Sequence, residues 1–203
     1  MSALRLYEDS SLTQLVSRDG DFSNPDQESS LDGTGGQIAQ AALWAAPGQT
    51  TLAADITTTD GTSVTLSAPR FADTDYPIIV IGSEKMLITA GHGSANLTVT
   101  RGYHNTTAAT HTNGDPVRLA YDCTSITVDC TDNEGTDESG WMSYCGDSGG
   151  SPDGSWEAPH SIDDIDHDGS EKLWRRIVVP TGTAAQNKQD LVHRLAFTAT
   201  EIS

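Results

Sequence analysis

From residue 50 to 121 apolar and polar positions alternate. The apolar pairs are Val64/Leu66, Ile79/Ile81, Met86/Ile88, Leu97/Val99 and Val117/Leu119. A period of two marks strands with one buried face. Turn signals separate them at Asp60-Gly61, Gly82-Ser83, Gly91-His92-Gly93 and Asn113-Gly114-Asp115. Short strands this close in sequence predict a small antiparallel barrel or meander.

The flanks read differently. Residues 1–36 are polar and turn-rich, with strand fragments only at Leu4–Tyr7 and Leu12–Val16. They predict an extended arm that pairs with its own body or with a neighbour. Residues 37–46 fit a short helix or a buried strand, and Trp44 before Pro47-Gly48 favours the strand. Residues 122–172 are acidic and predict loops. Leu173–Val179 and Leu191–Thr200 predict two strands joined by a loop at 180–190. Their partners would lie near Trp44 or in the cysteine-bearing segment. The expected fold is all-β: a small barrel or meander module at 50–121 combined with an Ig-like β-sandwich. Residues 1–49 would supply the arm and first sandwich strands, and 122–203 the acidic loops and the rest of the sandwich.

Composition narrows the function classes. The 203 residues suffice for one medium domain or two small ones. No apolar run approaches the ~18 residues of a membrane span. The first residues lack a charged-then-apolar leader, so no address to the secretory route is expected. Net charge is −18, from 29 acidic and 11 basic residues. That charge disfavours nucleic acid and anionic membranes as partners. Of the acids 21 are Asp, and only Lys85, Lys172 and Lys188 are lysines. This bias points to adaptation to high salt, where surface repulsion is screened within a few Å.

Two short strings raise the question of catalysis. Thr89-Ala90-Gly91-His92 and Gly146-Asp147-Ser148-Gly149-Gly150 resemble the histidine and nucleophile motifs of the trypsin family. That resemblance implies a serine protease with His92 as base, Ser148 as nucleophile, and Asp122 or Asp129 as orienting acid. The spacing opposes it. His92 and Ser148 lie 56 residues apart by their numbers, too few for most of two barrels at roughly 5–6 residues a strand. Turn residues are the better expectation for both, and no enzyme activity is expected.

A second resemblance is more extensive. Residues 82–89 (GSEKMLIT) and 97–117 (LTVTRGYHNTTAATHTNGDPV) resemble a β-module of structural proteins in tailed-virus particles. Glu84, Leu97–Gly102, Thr106–Ala109, His111, Gly114 and Val117 carry the match, which covers roughly residues 52–121. Residues 173–188, with Trp141–Tyr144 and Ser151–Trp156, look like the close of an Ig-like sandwich in such proteins. The resemblance implies a virion component of the tail, baseplate or connector region. Its partners would be copies of itself and other virion structural proteins, with no nucleic acid and no membrane, and its acidity suggests a salt-loving host. The alternatives are a capsid decoration or turret protein, or a glycan-binding appendage module using Trp141, Tyr144 and Trp156. The arm is the candidate for strand addition between subunits.

Within the module, Arg101 is expected to anchor its loop by donating to carbonyls. His104 and His111 are expected to hydrogen-bond the loop backbone rather than pair on a metal. Asp164-Ile165-Asp166-His167-Asp168-Gly169 matches the first half of a calcium loop, so Asp164, Asp166 and Asp168 are candidate ligands of a structural Ca2+. The twelfth position is Arg175, where that loop needs a glutamate. Cys123, Cys130 and Cys145 are expected as partly buried thiols, with a Cys123–Cys130 bridge across a hairpin as the alternative.

Overall fold

The computed structural model describes residues 3–16, 28–33, 37–132, 138–188 and 191–203. Much of the turn-rich stretch expected within residues 1–36 lies outside them. The fold is all-β. Among the described residues the only helical pieces are two 3₁₀ turns, Tyr103–Asn105 and Ser139–Trp141.

A five-stranded antiparallel sheet runs β1 (Leu4–Tyr7), β3 (Gln37–Pro47), β14 (Glu171–Val179), β11 (Met142–Ser148), β12 (Ser151–Pro152). A three-stranded sheet runs β13 (His160–Ile162), β10 (Tyr121–Asp132), β16 (Leu191–Glu201). Both contribute to one core: Leu4, Leu43, Met142, Tyr144, Leu173 and Ile177 from the first, Cys123, Ile126 and Val128 from the second. Two sheets over one core is sandwich packing. Nothing in the strand order identifies it as Ig-like. A two-stranded ribbon pairs β2 (Glu28–Gly33) with β15 (Thr183–Lys188).

The six remaining strands form an antiparallel sheet of order β4 (Gln49–Thr51), β9 (Pro116–Leu119), β6 (Ile78–Ile81), β7 (Glu84–Ala90), β8 (Asn96–Thr100), β5 (Ser63–Thr65). Its inward positions are the alternating ones: Val64, Leu66, Ile79, Ile81, Met86, Ile88, Leu97, Val99, Val117 and Leu119 fill its core. Gly82, at φ 60°, makes the two-residue turn between β6 and β7. The sheet curls until its edges touch. A bridge joins Leu52, after β4, to Leu66, after β5, with Ala53 N–H donating to Thr65 O at 2.8 Å and Ser67 N–H to Thr51 O at 2.9 Å.

The structure decides several expectations. The described start of the arm pairs with its own body, since Leu4–Tyr7 lies antiparallel to Trp44–Pro47 with all four residues buried. Leu12–Val16 is not a strand. Leu12 has φ 56° in a turn that returns the chain, so that Leu15 bridges Tyr7. The expected loops at 122–172 contain β10, a twelve-residue strand, and β11. The loop at 180–190 contains β15. The two C-terminal strands do find the partners named for them: β14 pairs with β3 along Gln37–Ala45, and β16 with β10. Cys123 and Cys130 lie on the same strand, so no hairpin bridge joins them, and all three cysteines are buried outside any disulfide.

Candidate functional site

The residues that carry the virion-module resemblance converge on one buried carboxylate. Glu84 opens β7, and its side chain is fully shut from water. Arg101, just past β8, donates Nε to Oε1 at 2.6 Å and Nη2 to Oε2 at 2.7 Å. Gly102 N–H donates to Oε1 and Ala109 N–H to Oε2, both at 3.0 Å. His111 Nε2 sits 2.8 Å from Oε2. Arg101 and His111 side chains are only 5% and 8% exposed. Burial alone would raise the Glu84 pKa. Donation from Arg101, Ala109 N–H, His111 and Gly102 N–H outweighs it and lowers the carboxyl to about 2.

The remaining Arg101 donors hold backbone. Nη1 reaches Thr58 O at 3.3 Å and Gly61 O at 3.4 Å, and Nη2 reaches Ala109 O at 2.5 Å. One guanidinium thus ties the β7 start, the 58–61 turn and the 101–111 loop. Arg101 is the expected carbonyl anchor. His111 bonds a carboxylate where loop backbone was expected. His104 goes elsewhere, with Nδ1 2.6 Å from Glu201 Oε1, so the two histidines hold different partners.

The strings that resemble a protease are turns in different sheets. Gly91 (φ 84°) and Gly93 (φ 75°) flank His92 in the β7–β8 turn. A Cβ on Gly91 would lie 2.3 Å from Asn96 O, so the turn excludes any other residue there. His92 is half-buried, and its Nδ1 has no hydrogen-bond partner among the described residues. Ser148 ends β11 and is exposed. Gly149 (φ 64°) and Gly150 (φ 94°) then form a two-residue turn, because Ser148 pairs with Ser151. Positive φ at both central positions is the type I′ hairpin pattern. Asp147 serves this structure, accepting from Gly150 N–H, Trp174 Nε1 and Lys172 Nζ at 2.9, 2.7 and 2.7 Å. Those three contacts, led by Lys172, lower its carboxyl to about 2. Asp122 and Asp129, nominated as orienting acids, accept from His167 N–H and Cys130 N–H, both at 2.8 Å.

The acidic run at 164–169 straps β10. Asp164 Oδ1 accepts from Ser125 N–H at 3.0 Å, where Ser125 has φ 54° inside a bulge. Buried Ile165 exchanges two 2.8 Å backbone bonds with Cys123. Asp164, Asp166 and Asp168 are exposed. Among the described residues no three His, Cys, Asp or Glu side chains gather closely enough to hold a metal.

Of the three aromatic residues in the glycan-binding alternative, one is shut in the core. Tyr144 is core, with its hydroxyl 2.5 Å from His193 Nδ1 and donating to Asp129 O at 3.2 Å. Trp141 packs against the same core, and Trp156 lies 4.3 Å from the Arg176 guanidinium.

Sequence reasoning missed one half-buried pair. Lys85, whose side chain is 6% exposed, reaches Glu201 Oε1 at 3.3 Å and also donates to Ile202 O. Lys85 was visible only as one of three lysines, and its partner lies 116 residues away. No known protein-family model, curated protein or solved structure matches the chain.

Proposed function

We propose that the chain is a structural component of a tailed virus particle, in the tail, baseplate or connector region. It acts by self-assembly and by contacts with other virion proteins, and its place is the virion. One observation carries the reading: the Glu84–Arg101–His111 cluster. Every ionisable group of that cluster is buried and directed at its own backbone and counter-charges. A motif spent on rigidity suits a part whose product is its shape. The hairpin geometry of His92 and Ser148 supports the same reading, since each residue belongs to a turn that needs glycine neighbours.

The test is assembly. In molar KCl, sedimentation velocity and negative-stain microscopy of the purified chain should show one defined ring or closed oligomer. A monomer at every salt and protein concentration would overturn the proposal.

A further inference from the structure

A cleft of about 350 Å³ lies between the turn after β1 and the outer face of β4 and β9. Among the described residues its lining includes Arg70 and Arg118 and no acidic residue. The chain has 29 acids against 11 bases, so the lining inverts the local balance of charge. Among the described residues neither arginine has an ion-pair partner. Arg70 Nη2 donates to Thr13 O at 2.8 Å, which holds that guanidinium at the cleft wall. Arg118 alternates with the buried Val117 and Leu119 of β9, which turns it outward onto the cleft. Its Nε is shut from water and has no hydrogen-bond partner among the described residues. A shielded guanidinium donor without an acceptor is costly, and it becomes favourable once an anion fills the gap. Asp9, on the same turn as Thr13, does not supply that anion. Its oxygens accept from Thr13 N–H and Gln14 N–H at 2.9 Å and from Thr13 Oγ1 at 2.6 Å.

The rest of the wall indicates the ligand class. Ser11, Gln49 and Thr50 present neutral hydrogen-bonding groups, and Leu12 adds an apolar contact. A bare carboxylate or phosphate, two or three times the ~30 Å³ of a water, would leave most of the cleft empty. The volume sits at the small end of ligand clefts, roughly 300–1,000 Å³. We infer that this cleft binds a small hydroxylated carboxylate of sugar-acid type, its carboxylate held by Arg118 and Arg70 and its hydroxyls by Ser11, Gln49 and Thr50. A guanidinium fork matches a carboxylate with two parallel hydrogen bonds.

The experiment is calorimetric titration of the full chain with D-glucuronate, D-glucose, acetate and inorganic phosphate. The buffer is the lowest KCl concentration at which circular dichroism shows a folded chain. Glucuronate should bind, glucose and acetate at least tenfold more weakly. Arg118→Met should weaken glucuronate at least tenfold while leaving the melting temperature of the free chain unchanged or higher, because it removes an unpartnered buried donor. Arg70→Met should weaken glucuronate as well. Phosphate or acetate binding as tightly as glucuronate would overturn the ligand class. Absence of glucuronate binding, or an Arg118→Met chain that binds unchanged or melts lower, would overturn the site.

Discussion

Replacing Glu84 with Gln removes one charge and almost no volume, so it isolates the electrostatics of the buried cluster. In the native chain five donors from four residues meet the two carboxylate oxygens at 2.6–3.0 Å. An amide offers one acceptor oxygen. Whichever way it turns, its NH₂ faces either Arg101 Nε and Gly102 N–H, or Arg101 Nη2, Ala109 N–H and His111. Arg101 is left buried without its counter-charge. Breaking a buried pair on one side costs about 3–5 kcal/mol. For a chain of this length each kcal/mol shifts the melting temperature by about 2–4 °C, so a fall of roughly 6–20 °C is expected. Urea unfolding followed by circular dichroism, at fixed molar KCl, gives the free energy directly. The acid limb supplies a second readout. Because the Glu84 pKa is lowered from 4.5 to about 2 in the fold, its contribution is complete above the unfolded value. It is lost as pH falls from about 4.5 through 2, and amounts to roughly 3 kcal/mol at one pKa unit per 1.36 kcal/mol. The Glu84→Gln chain should lack that part of the acid slope. A loss below about 1 kcal/mol, with the acid slope intact, would refute the claim that this carboxylate holds the module together.

Gly91→Ala should cost several kcal/mol, because its Cβ would meet Asn96 O at 2.3 Å; a melting temperature within a degree or two of the parent would count against the turn geometry. The three cysteines should resist iodoacetamide in the folded chain at pH 8 and all react in urea, since burial, aided by Asp122, pushes the Cys123 thiol up to about 11 and burial also raises Cys145; a mass showing a disulfide would contradict the assignment of free thiols. Thermal melts from low to molar KCl should rise steeply with salt, as screening relieves a net charge of −18; a flat or falling curve would refute adaptation to salt.

The six-stranded sheet was legible because its strands alternate without interruption and glycines punctuate them. The strand β10 was not, for a physical reason. Its inward residues run Cys123, then Ile126, Val128 and Cys130. The step from 123 to 126 is odd, because a bulge at Ser125 shifts the phase between Thr124 and Thr127. A period-two reading therefore breaks in mid-strand, and acids on the outward positions complete the disguise. The same effect hid the partner of Arg101. Its role as a carbonyl anchor follows from a strand-end arginine before glycine, but Glu84 lies across the hairpin. The register there shifts between Ile88 and Ala90, so counting outward from the turn gives the wrong face.

Glu84 and Lys85 are consecutive on a strand, so their side chains leave on opposite faces. Glu84 closes the 101–111 loop. Lys85 takes hold of Glu201 and Ile202 at the end of β16, a strand paired along its length with β10 in the other core. One two-residue step therefore fixes the interior of the module and its seat on the sandwich. Apolar contacts add to that seat: Phe197 touches both cores, Ala199 and Ile202 touch the module core, and the Tyr76 ring lies 5.4 Å from Tyr121 and 6.2 Å from Phe197. Charge placement predicts how such a joint responds to salt. Exposed ion pairs weaken as ions screen them, whereas pairs shut from water are screened far less. The side chains of Arg101 and Glu84 are 5% and 0% exposed, whereas Lys85, at 6%, faces a Glu201 that is 25% exposed. The Glu84–Arg101 pair should therefore keep its strength as salt rises, while the Lys85–Glu201 clasp, open to solvent on its acidic side, should weaken in part.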